Sequence, residues 1–305
     1  MKKLTLGTSE LEASNISLGC MRLAGHTEEK AAEILHHALD LGINFFDHAD
    51  IYGGGASEEI FAKALNMNPA IREKMILQSK CGIRKGFFDF STSHILSSVD
   101  GILQRLQTDY LDVLLLHRPD ALVEPEEVAE SFSTLEKSGK VRHFGVSNHT
   151  PMQIELLKKY VDQDLIVNQL QFGVMHTGMI DAGLQANTKH PNGVDRDGAV
   201  LDYSRLNNVT IQAWSPFQYG FFKGVFIDNE KFPELNHVLQ TIADEYNVTK
   251  TTIAIAWILR HPAKIQTIVG TMNTERMSTI ADASDLVLDR EEWYEIYRAA
   301  GNELP

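Results

Sequence analysis

Leu111-Asp112-Val113-Leu114-Leu115-Leu116-His117 is a short apolar run that ends on a reactive side chain. Ahead of it, Ile95, Val99, Ile102, Leu103 and Leu106 recur at helical spacing and place one apolar stripe on a helix. A helix that feeds a buried strand is the repeating unit of a parallel sheet built by right-handed crossovers. Similar runs stand near Ile16-Leu18, Ile43-Phe46, Met75-Leu77, His143-Val146, Ile166-Asn168, Val209-Ala213 and Ile265-Val269, which makes eight in all. Between them, Pro125 opens an acidic first turn before Val128, Phe132 and Leu135, with Gly139 as the stop signal. Thr150-Pro151-Met152-Gln153 combines a cap, a first-turn proline and a capping-box glutamine. Eight units predict a closed (β/α)8 TIM barrel, a single domain over residues 1–305.

Two segments depart from the eightfold pattern. Leu4-Thr5-Leu6 and Leu11-Glu12-Ala13 flank Gly7-Thr8-Ser9-Glu10, which predicts an N-terminal β-hairpin capping the bottom of the barrel. Gly173 to Asp202, rich in Gly, Asn, Asp and His, is longer than an ordinary connection. It reads either as a functional loop over the sixth strand end or as a tolerated insertion.

The chain has 305 residues, 43% of them hydrophobic, enough to bury a large core. With 28 Lys+Arg against 41 Asp+Glu the net charge is -13, which disfavours nonspecific binding to nucleic acid or to an anionic membrane. A phosphate must therefore be met by a local device. Two cysteines, Cys20 and Cys81, make no disulfide framework and fit a reducing compartment. Neither a signal-peptide core nor a run of roughly 18 uncharged apolar residues is present, so the expectation is a cytoplasmic protein with no membrane partner. His143 and His149 lack acidic or thiol partners at ligand spacing, and no metal site is expected.

Four reactive side chains stand at or just beyond strand ends: Asp47 and Tyr52 after Ile43-Phe46, Lys80 after Met75-Ser79, and His117. In a parallel barrel, catalytic residues come from the C-terminal ends of several strands. Taken singly, Asp47 is a strand-end cap, Lys80 a surface charge, Tyr52 packing and His117 a core or loop histidine; their joint placement is what points to chemistry. A tyrosine hydroxyl with a pKa near ~10 is a slow acid. Lys80 as ammonium is expected to lower that pKa, and Asp47 to hold and compensate Lys80. His117 either donates a hydrogen bond to the same substrate oxygen or shares a proton with Tyr52. The set suits protonation of a carbonyl oxygen, and hydride must then come from a cofactor.

Asp47 with Tyr52, Lys80 after the third strand and His117 after the fourth resemble the catalytic tetrad of the aldo-keto reductases, NADPH-dependent (β/α)8 enzymes. The resemblance runs on through Gly42 to Asp47, Ser57-Glu58, Tyr110 to Val113, Gly139 to Arg142 and Gly145 to Asn148. It continues through Asn168-Gln169, Trp214-Ser215-Pro216 and Ile268-Val269-Gly270. The resemblance implies that Ser147, Asn148 and Gln169 bind the nicotinamide carboxamide and that Trp214 stacks on its ring. Ser215 and Phe217 would open the loop that embraces the pyrophosphate. Arg276, with Thr271 and Asn273 at a helix N-terminus, would meet the adenosine 2'-phosphate. Gly270 stands where many members have lysine, and Thr279-Ile280 where many have Glu-Asn, so the NADPH preference falls chiefly to Arg276. Lys223 reads either as a phosphate contact or as a surface charge.

The implied activity is reduction of an aldehyde or ketone to an alcohol, with hydride from NADPH and a proton from Tyr52, on a small-molecule carbonyl substrate. The alternative is an NADPH-binding regulatory or redox-sensing subunit with little turnover. The expected pocket walls are Arg22, Phe87, Phe88 and parts of the Gly173 to Asp202 loop, with Arg22 either recognising an acidic substrate or forming a structural salt bridge.

Overall fold

The computed structural model describes residues Met1–Pro305. Strands β1 (Lys3–Thr5) and β2 (Glu12–Ser14) pair antiparallel with Leu4 opposite Ala13. Then come β3 (Ile16–Gly19), β4 (Phe45–Asp47) and β5 (Ile76–Cys81), and a separate ribbon of β6 (Ile83–Arg84) and β7 (Phe87–Phe88). The series ends with β8 (Leu111–Leu116), β9 (Val141–Ser147), β10 (Leu165–Gln171), β11 (Thr210–Trp214) and β12 (Gln266–Val269). All strands from β3 onward except the ribbon are parallel neighbours, and β12 returns to pair with β3, closing an eight-stranded barrel. Each of the eight strands overlaps one of the eight apolar runs of the sequence.

Side chains alternate between the inside of the barrel and its helical jacket. Phe46, Leu77, Leu114 and Phe144 point outward into a large apolar cluster, where the helix Thr92–Leu106 buries Ile95, Val99, Ile102, Leu103 and Leu106. That is the stripe seen in the sequence. Each such buried side chain contributes roughly 1.5–3 kcal/mol of transfer free energy. Ser91 caps the helix by accepting from the His94 N–H. The helix Pro125–Lys137 stops before Gly139, whose φ of 72° suits a residue without Cβ. Thr150 and Gln153 form the capping box at the start of Pro151–Lys158.

The hairpin closes the lower end. Leu6 and Ala13 pack with Phe45, Ile76, Val113 and Ile166, all near the N-terminal ends of barrel strands. Gly7, at φ 54°, lies so close to Ile166 that a Cβ would stand 2.6 Å from its carbonyl oxygen.

Residues 173–202 contain the short helix Gly178–Leu184 and the helical turn Pro191–Gly193, lead into the helix Val200–Leu206, and fold against the C-terminus. Asp181 accepts from the Tyr297 hydroxyl at 2.7 Å, and Gln185 Nε2 donates to the Glu303 carbonyl at 2.8 Å. No helix is long and apolar enough to cross a membrane.

Candidate active site

At the upper, C-terminal end of the strands lies a cavity of about 960 Å³. Its floor is set by sheet register. Asp47 is level with Gln78, Gln169 with Gln212, and Gln212 with Gln266, so these inward side chains share one layer. Lys80, two residues beyond Gln78, faces the same way one layer higher.

Lys80 is fully buried, with all three ammonium protons directed to acceptors. Its Nζ donates to Asp47 Oδ2 at 2.9 Å, to the His48 carbonyl at 2.7 Å and to the Tyr52 hydroxyl oxygen at 3.1 Å. Burial by itself would lower the Lys80 pKa, but the adjacent Asp47 and Tyr52 outweigh it and raise it above 10.5, so the ammonium persists at neutral pH. Gln78 and Gln169 each donate to Asp47 Oδ1, at 2.7 and 2.9 Å. Both also donate to Gln212 Oε1; Gln212 donates to Gln266 Oε1 at 2.7 Å, and Gln266 to the Ser14 carbonyl at 2.8 Å. Asp47 therefore sits at the head of a buried amide ladder that descends the barrel to the hairpin.

Tyr52 is delivered by the turn Tyr52–Gly55, in which Gly53, Gly54 and Gly55 all have positive φ. A Cβ on Gly53 would stand 2.7 Å from the Ala24 methyl, so the glycine permits a close approach as well as the turn. The helix that follows, Ala56–Ala64, is pinned by Glu58, which accepts from Ser79 Oγ at 2.7 Å and Arg105 Nε at 2.8 Å. Lys80 does lower the Tyr52 pKa, as expected, but it does not set the net direction. Burial raises it above 10 and Lys80 offsets only part of that rise, leaving the phenol protonated in the cavity as it stands.

His117 joins the cavity directly after β8, its backbone N–H bonded to the Cys81 carbonyl at 2.9 Å. Its ring meets the Tyr52 ring edge-on with centroids 6.2 Å apart, and no hydrogen bond joins the two side chains. The direct proton-sharing contact is therefore not formed. Burial first, then Lys80 and Arg118, hold the His117 pKa well below 6.5, so the imidazole is neutral. Its buried Nδ1 has no partner.

Asp47, Tyr52, His117, Ser147, Asn148, Gln169, Trp214, Ser215, Phe217, Thr271 and Arg276 all line the one cavity. Lys80 does not line it, but its Nζ reaches Asp47 and Tyr52, which do. Asn273 does not line it; its side chain accepts from the Arg276 N–H and caps the helix Thr274–Ala281. Asn148, at φ 61°, accepts from Trp214 Nε1 at 3.2 Å and donates to Ser147 Oγ at 2.7 Å. Arg276 is exposed at the far end and makes no ion pair with Glu275.

The walls differ from the sequence expectation. Phe87 and Phe88 lie exposed on the ribbon, and no residue of 173–202 lines the cavity. The wall is supplied by residues 215–228: Phe217 and Ile227 line it half-buried, Phe221 and Phe222 line it while largely exposed, and Phe226 is fully buried as anchor. Asp228 forms an ion pair with Lys250, tying this segment to the helix Lys250–Leu259. Lys223 is exposed and outside the lining. Arg22 does line the cavity and makes no salt bridge; it donates to the Gly270 carbonyl at 3.3 Å. Cys20 and Cys81 are buried core thiols with pKa values raised by burial. No cluster of metal-ligating side chains is present.

Sequence reasoning missed Gln78, Gln212, Gln266 and Arg118. The three glutamines had a readable signal, polar residues inside otherwise apolar strand runs, in two cases two positions before a strand-end residue already singled out.

A parallel barrel whose upper rim gathers an acid, a buried ammonium and an amide-lined cavity defines a class of cofactor-dependent barrel enzyme. Residues 15–300 match the model of the aldo/keto reductase family. The chain belongs to the aldo/keto reductase family of oxidoreductases. It is 34% identical over 321 residues to the oxidoreductase YcsN of Bacillus subtilis (strain 168), covering 100% of both chains. It is also 34% identical over 319 residues to a 6-dehydroglucose reductase of Agrobacterium fabrum (strain C58), again covering 100% of both. Among solved structures, an aldo-keto reductase from Klebsiella pneumoniae in complex with NADPH superposes with a TM-score of 0.79 at 23% identity, covering 99% of this chain and 96% of that one.

Proposed function

We propose that this protein, acting as a single barrel unit in the cytoplasm, uses NADPH to reduce an aldehyde or ketone to the alcohol, with Tyr52 as the proton donor. The observation that carries the proposal is the fully buried Lys80 joined to both Asp47 and the Tyr52 oxygen at the edge of the cavity. Because the Tyr52 oxygen accepts from Lys80, its own O–H is left to point at a carbonyl oxygen. When the proton leaves, the phenolate forms 3.1 Å from an ammonium, which offsets the cost of a buried negative charge. Asp47, held by two glutamines, keeps Lys80 charged and in position. Neutral His117 donates an N–H to the same carbonyl oxygen and orients it.

The donor set fits a nicotinamide dinucleotide. Both Nε2 protons of Gln169 are engaged by Asp47 and Gln212, so only its oxygen remains, to accept from a carboxamide NH2. Asn148 has one Nδ2 proton left over, to donate to the carboxamide oxygen. Trp214 offers a flat face to the ring. Ser215 and Phe217 begin the segment that would follow the pyrophosphate, and Thr271 with Arg276 would meet the 2'-phosphate. The bound cofactor supplies the hydride that the carbonyl carbon needs. The NADPH complex of the Klebsiella relative supports this reading.

Steady-state NADPH oxidation with a panel of aldehydes, dicarbonyls and quinones tests it. Turnover by the native protein and its loss in Tyr52→Phe are expected. Tight NADPH binding with no turnover of any carbonyl would instead support a regulatory subunit.

A further inference from the structure

Arg118 is the unexplained cation of the cavity. It follows His117 directly, lines the same space and is half-buried, yet it has no hydrogen-bond or ion-pair partner. Its guanidinium carbon stands 5.9 Å from the Trp214 ring centroid. The carboxylates that line the cavity are already engaged, Asp47 by Lys80 and Asp228 by Lys250. The other two arginines differ from it: Arg22 donates to the Gly270 carbonyl, and Arg276 is exposed at the far end, where the cofactor reading uses it. Burial pulls the Arg118 pKa down from its ordinary value, the mark of a charge separated from water without compensation. A guanidinium presents a planar fork of donors that matches a carboxylate or phosphate bidentately.

Resting on the carbonyl-reductase reading, we propose that Arg118 is a substrate-anchoring residue and that the carbonyl compounds reduced here carry an anionic group, a carboxylate in the first instance. The carbonyl oxygen lies at Tyr52 and His117, and the anionic end reaches across to Arg118. Ile51, Ile83 and Phe221 add apolar lining to the same cavity, which a short aliphatic or aromatic spacer can use. In a chain of net charge -13, a local unpaired cation is also what would keep an anionic substrate from being repelled.

The test compares 4-carboxybenzaldehyde with benzaldehyde, and succinic semialdehyde with butanal, under saturating NADPH. The native protein should prefer the acid of each pair. In Arg118→Met the acid-to-neutral ratio of kcat/KM should fall about 30-fold, chiefly through KM, as expected for losing a charge-assisted bidentate contact. Arg118→Lys should recover part of the ratio. A phosphorylated aldehyde against its neutral parent separates phosphate from carboxylate preference. Equal use of acid and neutral compounds by the native protein, or an unchanged ratio in Arg118→Met, overturns the proposal. Equilibrium binding of terephthalate to the NADP+-loaded protein keeps the two readings apart. Binding that weakens in Arg118→Met without turnover of any carbonyl would uphold the anion site and sink the reductase activity.

Discussion

The two ends of the barrel interior are built from the same strands with opposite chemistry. At the lower end Phe45, Ile76, Val113 and Ile166 close against Leu6 and Ala13 of the hairpin. Two residues higher on the same inward faces, Phe45 gives way to Asp47 and Ile76 to Gln78, followed by Lys80. The lower layer gains stability from apolar burial, whereas the upper layer takes on desolvation of an ion pair and offsets it with hydrogen bonds. Stability and chemistry are thus divided along the barrel axis, and substitutions at the two ends should separate them.

The largest effect is expected from Tyr52→Phe, which should lower carbonyl turnover by about 10³-fold with NADPH affinity retained. Near-normal turnover would break the contrast at its upper end. Leu6→Ala should remove about 2–4 kcal/mol of stability in urea melts, since it empties a fully buried lower site, while KM for NADPH holds. A matching loss of catalysis would show that the two ends are coupled through the amide ladder. Gln78→Leu takes one of the two amide donors from Asp47 and should cut kcat about tenfold, consistent with losing a hydrogen bond to a charged group. Its melting curve tells a positioning defect from a folding one.

Asp50, beside the tetrad, sharpens the comparison by its pH dependence. Its Oδ1 is buried without a partner, and burial, reinforced by Glu58, raises its pKa to about 6. Between pH ~4 and ~6 the unfolded chain therefore releases this proton first and stability falls as pH rises; above pH ~6 the loss is complete. Asp50→Asn should match the native protein near pH 3.5 and exceed it by about 1 kcal/mol at pH 7.5. The smallest effect is a near absence of one. With His117 neutral and Tyr52 protonated, kcat/KM for a neutral aldehyde should stay level between pH ~6.5 and ~9. A histidine limb inside that range would contradict the electrostatics of the site.

The strand-end placement of Asp47, Tyr52, Lys80 and His117 was legible because a parallel barrel turns the C-terminal ends of its strands into one neighbourhood. Strand boundaries were less so. Ile43, Met75, Val209 and Ile265 belong to apolar runs but precede the strands, since apolarity begins before ladder hydrogen bonding does. Asp47, Lys80 and Ser147 lie inside strands, because an inward polar residue at the rim is still part of the ladder. The amide ladder depends on the register of strands far apart in sequence, which no local pattern encodes. The cavity wall was sought in the longer of two loops. Length proved the weaker signal: residues 173–202 clamp the C-terminus, and the shorter aromatic segment 215–228 faces the cavity.

The protein's three tryptophans occupy two unlike settings. Trp257 and Trp293 stack at 4.7 Å with planes 8° apart, each indole N–H donating to the other's carbonyl. Trp214 stands alone at the cavity. The molecule therefore contains two separate optical probes: a rigid indole pair whose coupled near-ultraviolet dichroism reports the integrity of the second half of the barrel, and a single indole whose emission responds to whatever enters the cavity. Ligand titration should quench the second signal and leave the first unchanged, while thermal melting should erase the first.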